Sequence, residues 1–218
     1  MISFLSSTPI PTTLLLFLLL LIIPTAILTY RVLFPKILKY PWPTNTPPKQ
    51  DTVVIAGSFN PPHNGHVSMI QHLSKNYKQV IVVIGMNPNK VYKVSPQKRL
   101  EILEQILVEK NVKVAIVQGY IWRYAMLHNA STFIRGIRTW EKDGREERSL
   151  HILNSWGPLV FGPLKWPLKT VFMEGDTRYL HLSSTIVRNA CEKKDNSSDC
   201  LRGMVPKHVE KQVFEAYR

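Results

Sequence analysis

Thr52 to His66 reads TVVIAGSFNPPHNGH, and this stretch decides the fold. Thr52–Ala56 is an unbroken apolar run, the pattern of a strand buried on both faces of a parallel sheet. Gly57–His66 follows it directly, and His66–Tyr77 continues as a predicted helix with Val67, Ile70 and Leu73 on one face. In an open α/β sheet, ligands bind beyond the carboxyl ends of the strands. A helix N-terminus at that place offers free N–H groups and partial positive charge to an anion. Gly57 and Gly65 let the backbone approach a ligand closely, and Pro61 and Pro62 stiffen the turn between them. His63 and His66 lie three apart, on one side of the first helical turn. A histidine there can donate a hydrogen bond to a phosphate oxygen whose charge grows in a transition state. A purely structural turn and a zinc pair are the competing readings, but the chain has no HExxH and no CxxC. It also lacks G-x-x-x-x-G-K-[ST] and G-x-G-x-x-G, so neither a P-loop nor a dinucleotide fingerprint is present.

Outward from this unit the same alternation continues. Val80–Gly85, Val112–Val117, Thr132–Arg135 and Thr170–Met173 read as further strands. Pro96–Lys110 reads as a helix with Ser95 as N-cap and Pro96 at its first position. Asp143–Asn154, Ser184–Lys194 and Pro206–Tyr217 read as later helices, and Ser155–Lys169 as a long connection suited to a membrane, a partner or the interior. The expected fold class is α/β: a Rossmann-like parallel sheet with helices on both faces.

Composition supports a folded domain with an appendage. The chain has 218 residues, 44% hydrophobic and 20% charged, which excludes wholesale disorder. Lys and Arg number 28 against 15 Asp and Glu, a formal charge of +13, and all 15 acids lie beyond residue 50. Such a basic domain favours anionic partners: nucleotides, phosphorylated metabolites, nucleic acid or acidic lipid. Nucleic acid is not expected, because the strands lack interleaved surface aromatics. Two cysteines, Cys191 and Cys200, exclude a disulfide scaffold and a four-cysteine zinc site.

The first thirty residues carry no charge, and Thr12–Tyr30 is almost wholly apolar. A helix of that length spans about 28 Å, close to a bilayer's hydrocarbon core. A transmembrane anchor is the first expectation, and a cleaved or organelle-targeting segment the alternative. Arg31, Lys36 and Lys39 follow the run and place the domain on the cytoplasmic side. The expected division is a hydrophobic segment over 1–30, a basic, proline-rich linker over 31–50, and the α/β domain over 51–218. Two N-x-[ST] strings begin at Asn129 and Asn196; a cytoplasmic domain leaves Asn196 unglycosylated.

GSFNPPHNGH resembles the first motif of the HxGH nucleotidylyltransferases, a superfamily with a cytidylyltransferase-like domain that joins a nucleoside triphosphate to a phosphorylated acceptor. Leu182–Arg188 (LSSTIVR) resembles the superfamily's second motif, although capping by Ser183 or Ser184 explains that run alone. Phe133–Asn154, beginning FIRGIR, is similar to the arginine stretch of bacterial-type phosphopantetheine adenylyltransferases, and GMVPKHVEKQV (203–213) to their C-terminal segment. The resemblance covers nearly all of residues 52–218. It implies adenylyl transfer from ATP to 4′-phosphopantetheine in coenzyme A biosynthesis, with Mg2+ accompanying ATP, no metal ligands of the chain's own, and a homo-oligomer. Carried over by motif, the catalytic residues are His66 and Lys90. ATP falls to Ser58, Phe59, His63, Gly65, His66, Gly136, Ile137, Arg138, Glu147 (with Glu146 as its alternative), Tyr179, Ser183, Ser184 and Thr185. The acceptor falls to Ser58, Lys90, Ile121 and Arg135. The sequence departs from the family where Val91 occupies the place of its lysine, which leaves Lys90 or Lys93 to serve. Another acceptor, such as nicotinamide mononucleotide, and a non-catalytic tethered nucleotide-binding protein are the rival readings.

Overall fold

The computed structural model of the chain describes residues 11–86, 91–162, 164–192 and 197–218. Lys90 and Asn196, both singled out above, lie outside the described residues. Six parallel strands form one sheet: β1 (Lys36–Leu38), β2 (Lys49–Gly57), β3 (Tyr77–Met86), β4 (Val112–Gln118), β5 (Ala130–Ile137) and β6 (Lys169–Glu174), in spatial order β1-β6-β5-β2-β3-β4. The helices are α1 (Thr12–Leu33), α2 (Asn64–Asn76), α3 (Pro96–Ile106), α4 (Ile121–Leu127), α5 (Trp140–Val160), α6 (Ser184–Glu192) and α7 (Glu210–Tyr217).

Successive side chains of a strand point to opposite faces, and β2 shows both faces buried. Val53 and Ile55 join one core with Ile70, Leu73, Ile102 and Phe214 from α2, α3 and α7. Val54 and Ala56 join a second core with Ala125 of α4 and Phe133. On that second side α5 brings Trp140 and His151 against Phe172 of β6. The chain runs from β2 outward to β3 and β4, then returns to β5 on the other side of β2. The sheet therefore reverses its winding between β2 and β5, the place where a crevice opens at the strands' carboxyl ends.

Four elements differ from the sequence reading. The 31–50 segment, expected as a linker, enters the sheet: Lys36–Leu38 pairs with Val171–Met173 as an edge strand, which flanking prolines permit. Trp42 then buries itself, donating its indole N–H to the Glu174 carbonyl at 2.8 Å. β2 begins at Lys49, so the expected boundary at Asp51 falls inside a strand. The short helix α4 was not expected. α5 runs through Gly157 and Pro158, where a connection was expected to begin. α1 is long and apolar enough to cross a membrane, with mean hydropathy 2.5 over its window. Only Leu28 of it is fully buried, on the side that meets α5.

Candidate active site

The turn after β2 is held from four directions. The buried Arg99 donates Nη1–H to the Ser58 carbonyl at 2.6 Å and stacks on Tyr92. Tyr217 donates its hydroxyl to Asn60 Oδ1 at 2.9 Å. From the second motif, Ser184 Oγ donates to the Pro61 carbonyl at 2.8 Å, and Arg188 Nη1 to the Asn60 carbonyl. Phe59 takes a positive φ of 44° and turns its ring edge-on to His66, centroids 5.0 Å apart. The two motifs, more than a hundred residues apart in sequence, thus form one structure.

His63 is the N-cap of α2 and His66 its third residue. Their rings lie 3.8 Å apart, tilted by 35°. The His63 backbone N–H donates to His66 Nδ1 at 3.3 Å. An Nδ1 that accepts leaves the neutral ring's proton on Nε2. Burial, reinforced by the neighbouring His63, holds the His66 pKa well below 6.5, and burial alone pulls His63 down to about 4. Both rings are therefore neutral at pH 7, and His66 is fixed as an Nε2–H donor. His63 Nδ1 is buried with no protein partner, an orphan that calls for a ligand or water. Gly65 is required by crowding: a Cβ there would stand 3.1 Å from the His63 ring and 3.4 Å from Tyr179 Cβ.

The crevice has a volume of about 560 Å³. Of the residues singled out in the sequence, His63, Gly65, His66, Gly136, Ile137, Arg138, Glu147, Tyr179, Ser183, Ser184 and Thr185 line it. Ser58, Phe59, Arg135 and Ile121 stand outside that lining. Ile121 opens α4, beside Gly85 at the end of β3. Val91 is fully exposed. Lys93 donates to the Tyr217 carbonyl at 3.2 Å and stands 4.0 Å from Glu192 of α6.

The charged groups of β5 and α5 are paired with each other. Arg135 forms a fork on Glu147, Nε to Oε2 at 2.8 Å and Nη2 to Oε1 at 2.7 Å, and Nη1 donates to the Ala56 carbonyl at 3.0 Å. This geometry selects Glu147 over Glu146 as the partner. Arg138 engages Asp143 through its backbone N–H at 2.7 Å and through its guanidinium, and this bond raises the Arg138 pKa. In the second motif Ser183 Oγ accepts from Ile186 N–H at 3.3 Å, an N-cap. The Ser184 hydroxyl proton is spent on Pro61, which leaves Ser184 its backbone N–H at the α6 N-terminus as the donor it could offer an anion. Buried Asp176 accepts from Ser68 Oγ and from Arg178, whose hydrogen bonds hold its pKa down to about 2.

The sequence reading missed Met69, Asp143, Gly175, Leu180, Leu182 and Ile186 of the lining. Met69 follows His66 by one helical turn, a spacing that points to it. Asp143 carries no such signal, since its partner depends on where α5 starts.

The family model described as cytidylyltransferase-like matches residues 54–190. A phosphopantetheine adenylyltransferase of Desulfatibacillum aliphaticivorans is 31% identical over 74% of this chain and 86% of its own length. That of Dictyoglomus thermophilum is 30% identical over 75% of this chain and 93% of its own. Among solved structures, Plasmodium falciparum nicotinic acid mononucleotide adenylyltransferase superposes with a TM-score of 0.50 at 14% identity, over 76% of this chain and 95% of that one, a likeness of fold. The turn at 57–66, the matched span and these relatives agree: the chain belongs to the cytidylyltransferase-like nucleotidyltransferases, on their phosphopantetheine adenylyltransferase branch.

Proposed function

We propose that the protein transfers the adenylyl group of ATP to 4′-phosphopantetheine, releasing pyrophosphate and forming dephospho-coenzyme A. The observation that carries this reading is the neutral His66 donor, its Nδ1 pinned by the His63 N–H at the N-terminus of α2. A phosphate oxygen of the acceptor attacks the α-phosphorus of ATP in line, and the bond from that phosphorus to the bridging oxygen breaks with its electron pair leaving on pyrophosphate. No protein nucleophile is required. His66 Nε2–H donates to a non-bridging oxygen of the α-phosphate, whose charge grows as the new bond forms. A neutral donor needs no proton exchange with solvent to do this.

The adenosine lies against Gly136, Ile137 and Tyr179, and the polyphosphate against the α6 N-terminus and Arg138. The acceptor is assigned to Ser58 after β2, to Arg135 of β5 against the Ala56 carbonyl, and to Ile121 beside the end of β3. Arg135 keeps N–H groups on Nη1 and Nη2 beyond those used by Glu147 and Ala56, enough to reach a phosphate. Lys90 supplies the further positive charge on the acceptor side. Magnesium enters with ATP as its counter-ion. Asp143 and Glu147 are committed to arginines, and among the described residues no cluster of three His, Cys, Asp or Glu exists to hold a metal, so no step is assigned to a protein-bound ion. The full chain in detergent should release pyrophosphate from MgATP with 4′-phosphopantetheine and not with nicotinamide mononucleotide. Turnover with the second acceptor alone refutes the assignment.

We also place α1 across a membrane with the domain on the cytoplasmic side. Support comes from the uncharged run of α1 from Thr12 to Tyr30, before Arg31, and from its exposed surface over the first three turns. Flotation of the full chain with vesicles tests this placement.

A further inference from the structure

The sheet edge opposite the crevice carries charge and apolar surface that adenylyl transfer does not use. Lys36 opens β1, Lys49 opens β2 and Lys169 opens β6, and all three are exposed. Partial burial, then the positive charges of Lys36, Lys49 and Arg31, lower the Lys169 pKa below its ordinary value. β1 lies beside β6 and β2 two strands from it, so these bases share the starting ends of the strands.

The same end of the molecule is apolar. The segment after α5 leaves Trp166 45% exposed. On α1, Tyr30 and Phe34 are exposed with ring centroids 4.9 Å apart, the aromatic pattern of a membrane interface. Arg31 joins the two regions: its guanidinium lies 5.5 Å over the Trp166 ring, and its carbonyl accepts from His151 Nε2 at 2.8 Å. Arg31 is the first charge after the apolar run, so it marks the depth of the headgroups. A ring stacked beneath Arg31 lies at that same depth, and so does Lys169, which Arg31 faces.

We infer that this edge is a lipid-binding face: Arg31, Lys36, Lys49 and Lys169 take the phosphates of anionic phospholipids, while Trp166 enters the interface beside α1. The inference rests on α1 being a membrane span. It seats the domain with its strand starts toward the bilayer. β2 runs nine residues from Lys49 to Gly57, so the crevice stands about 30 Å further out, open to ATP.

The test uses the full chain reconstituted in phosphatidylcholine vesicles, with or without phosphatidylserine, part of the lipid being brominated near the headgroup. The Trp166 signal is the difference between the chain and its Trp166→Phe variant. Phosphatidylserine should raise Trp166 quenching about twofold or more. Molar salt, or the triple variant Lys36→Gln, Lys49→Gln, Lys169→Gln, should return quenching to the neutral-vesicle value. The triple variant should keep its pyrophosphate release in detergent, since its lysines lie at the far edge of the sheet. A chain that floats with vesicles but whose quenching ignores phosphatidylserine, salt and the lysines overturns the lipid-binding face and leaves α1 as an anchor alone. A chain that does not float overturns the membrane span and this inference with it.

Discussion

The two walls of the crevice hold their chemistry in opposite ways. On the α2 wall, His63 and His66 are neutral, fixed by a backbone N–H and by burial, and one ring nitrogen stands without a partner. On the β5–α5 wall, Arg138 lines the crevice and Arg135 lies behind it on the lining residue Glu147, and both are already satisfied, by Asp143 and Glu147. The first wall is organised before any substrate arrives. The second must share its donors when phosphates enter. The difference separates two kinds of catalytic effect: a preset donor acts on the transition state, while a paired arginine acts first on binding.

Substitutions should reproduce that division. The largest effect belongs to His66→Ala, with kcat lowered about 10²- to 10³-fold and the KM for ATP little changed. A KM effect of similar size would move His66 to the binding side. Arg135→Lys should follow, lowering kcat/KM for the acceptor about 10- to 100-fold, because an ammonium cannot reproduce the fork on Glu147. Full activity in that variant would mean that the pair is structural. Arg138→Ala is expected to raise the KM for ATP by up to about tenfold and to spare kcat, since half of that side chain faces water.

Protonation sharpens the same contrast. With His66 neutral throughout, kcat should stay level from pH 8 to pH 6.5, and a bell with a limb near 7 would show His66 working as an acid or base. Stability should behave otherwise. The folded His63 has a pKa of about 4, below the 6.5 of the unfolded chain. Between those values the unfolded state binds the extra proton, so stability is lost as pH falls from 6.5 toward 4, by up to about 3 kcal/mol. Thermal melts of the chain and of His63→Asn across that range check this: the variant should lose less.

The α2 wall was legible in sequence because backbone geometry sets it. A buried strand, two glycines and two prolines leave the turn few shapes, and a three-residue spacing brings two rings onto one helical face. The β5–α5 wall was legible only as a list of charges. Which carboxylate meets which guanidinium depends on the start of α5 at Trp140 and its packing on β6, which no local pattern encodes. Gly157 and Pro158 read as breakers, yet Gly157 is there for packing: a Cβ would stand 2.6 Å from Trp122 Nε1. β1 escaped notice because three residues between Pro35 and Pro41 are too few to show a period. Its contribution is measurable, since Trp42→Ala should destabilise the fold by about 3 kcal/mol.

The most direct test of the central claim is magnesium-dependent pyrophosphate release by the full chain, with 4′-phosphopantetheine as acceptor and His66→Ala alongside. Turnover that depends on that acceptor and falls at least about a hundredfold in the variant is the predicted result. Turnover that survives His66→Ala would contradict the account.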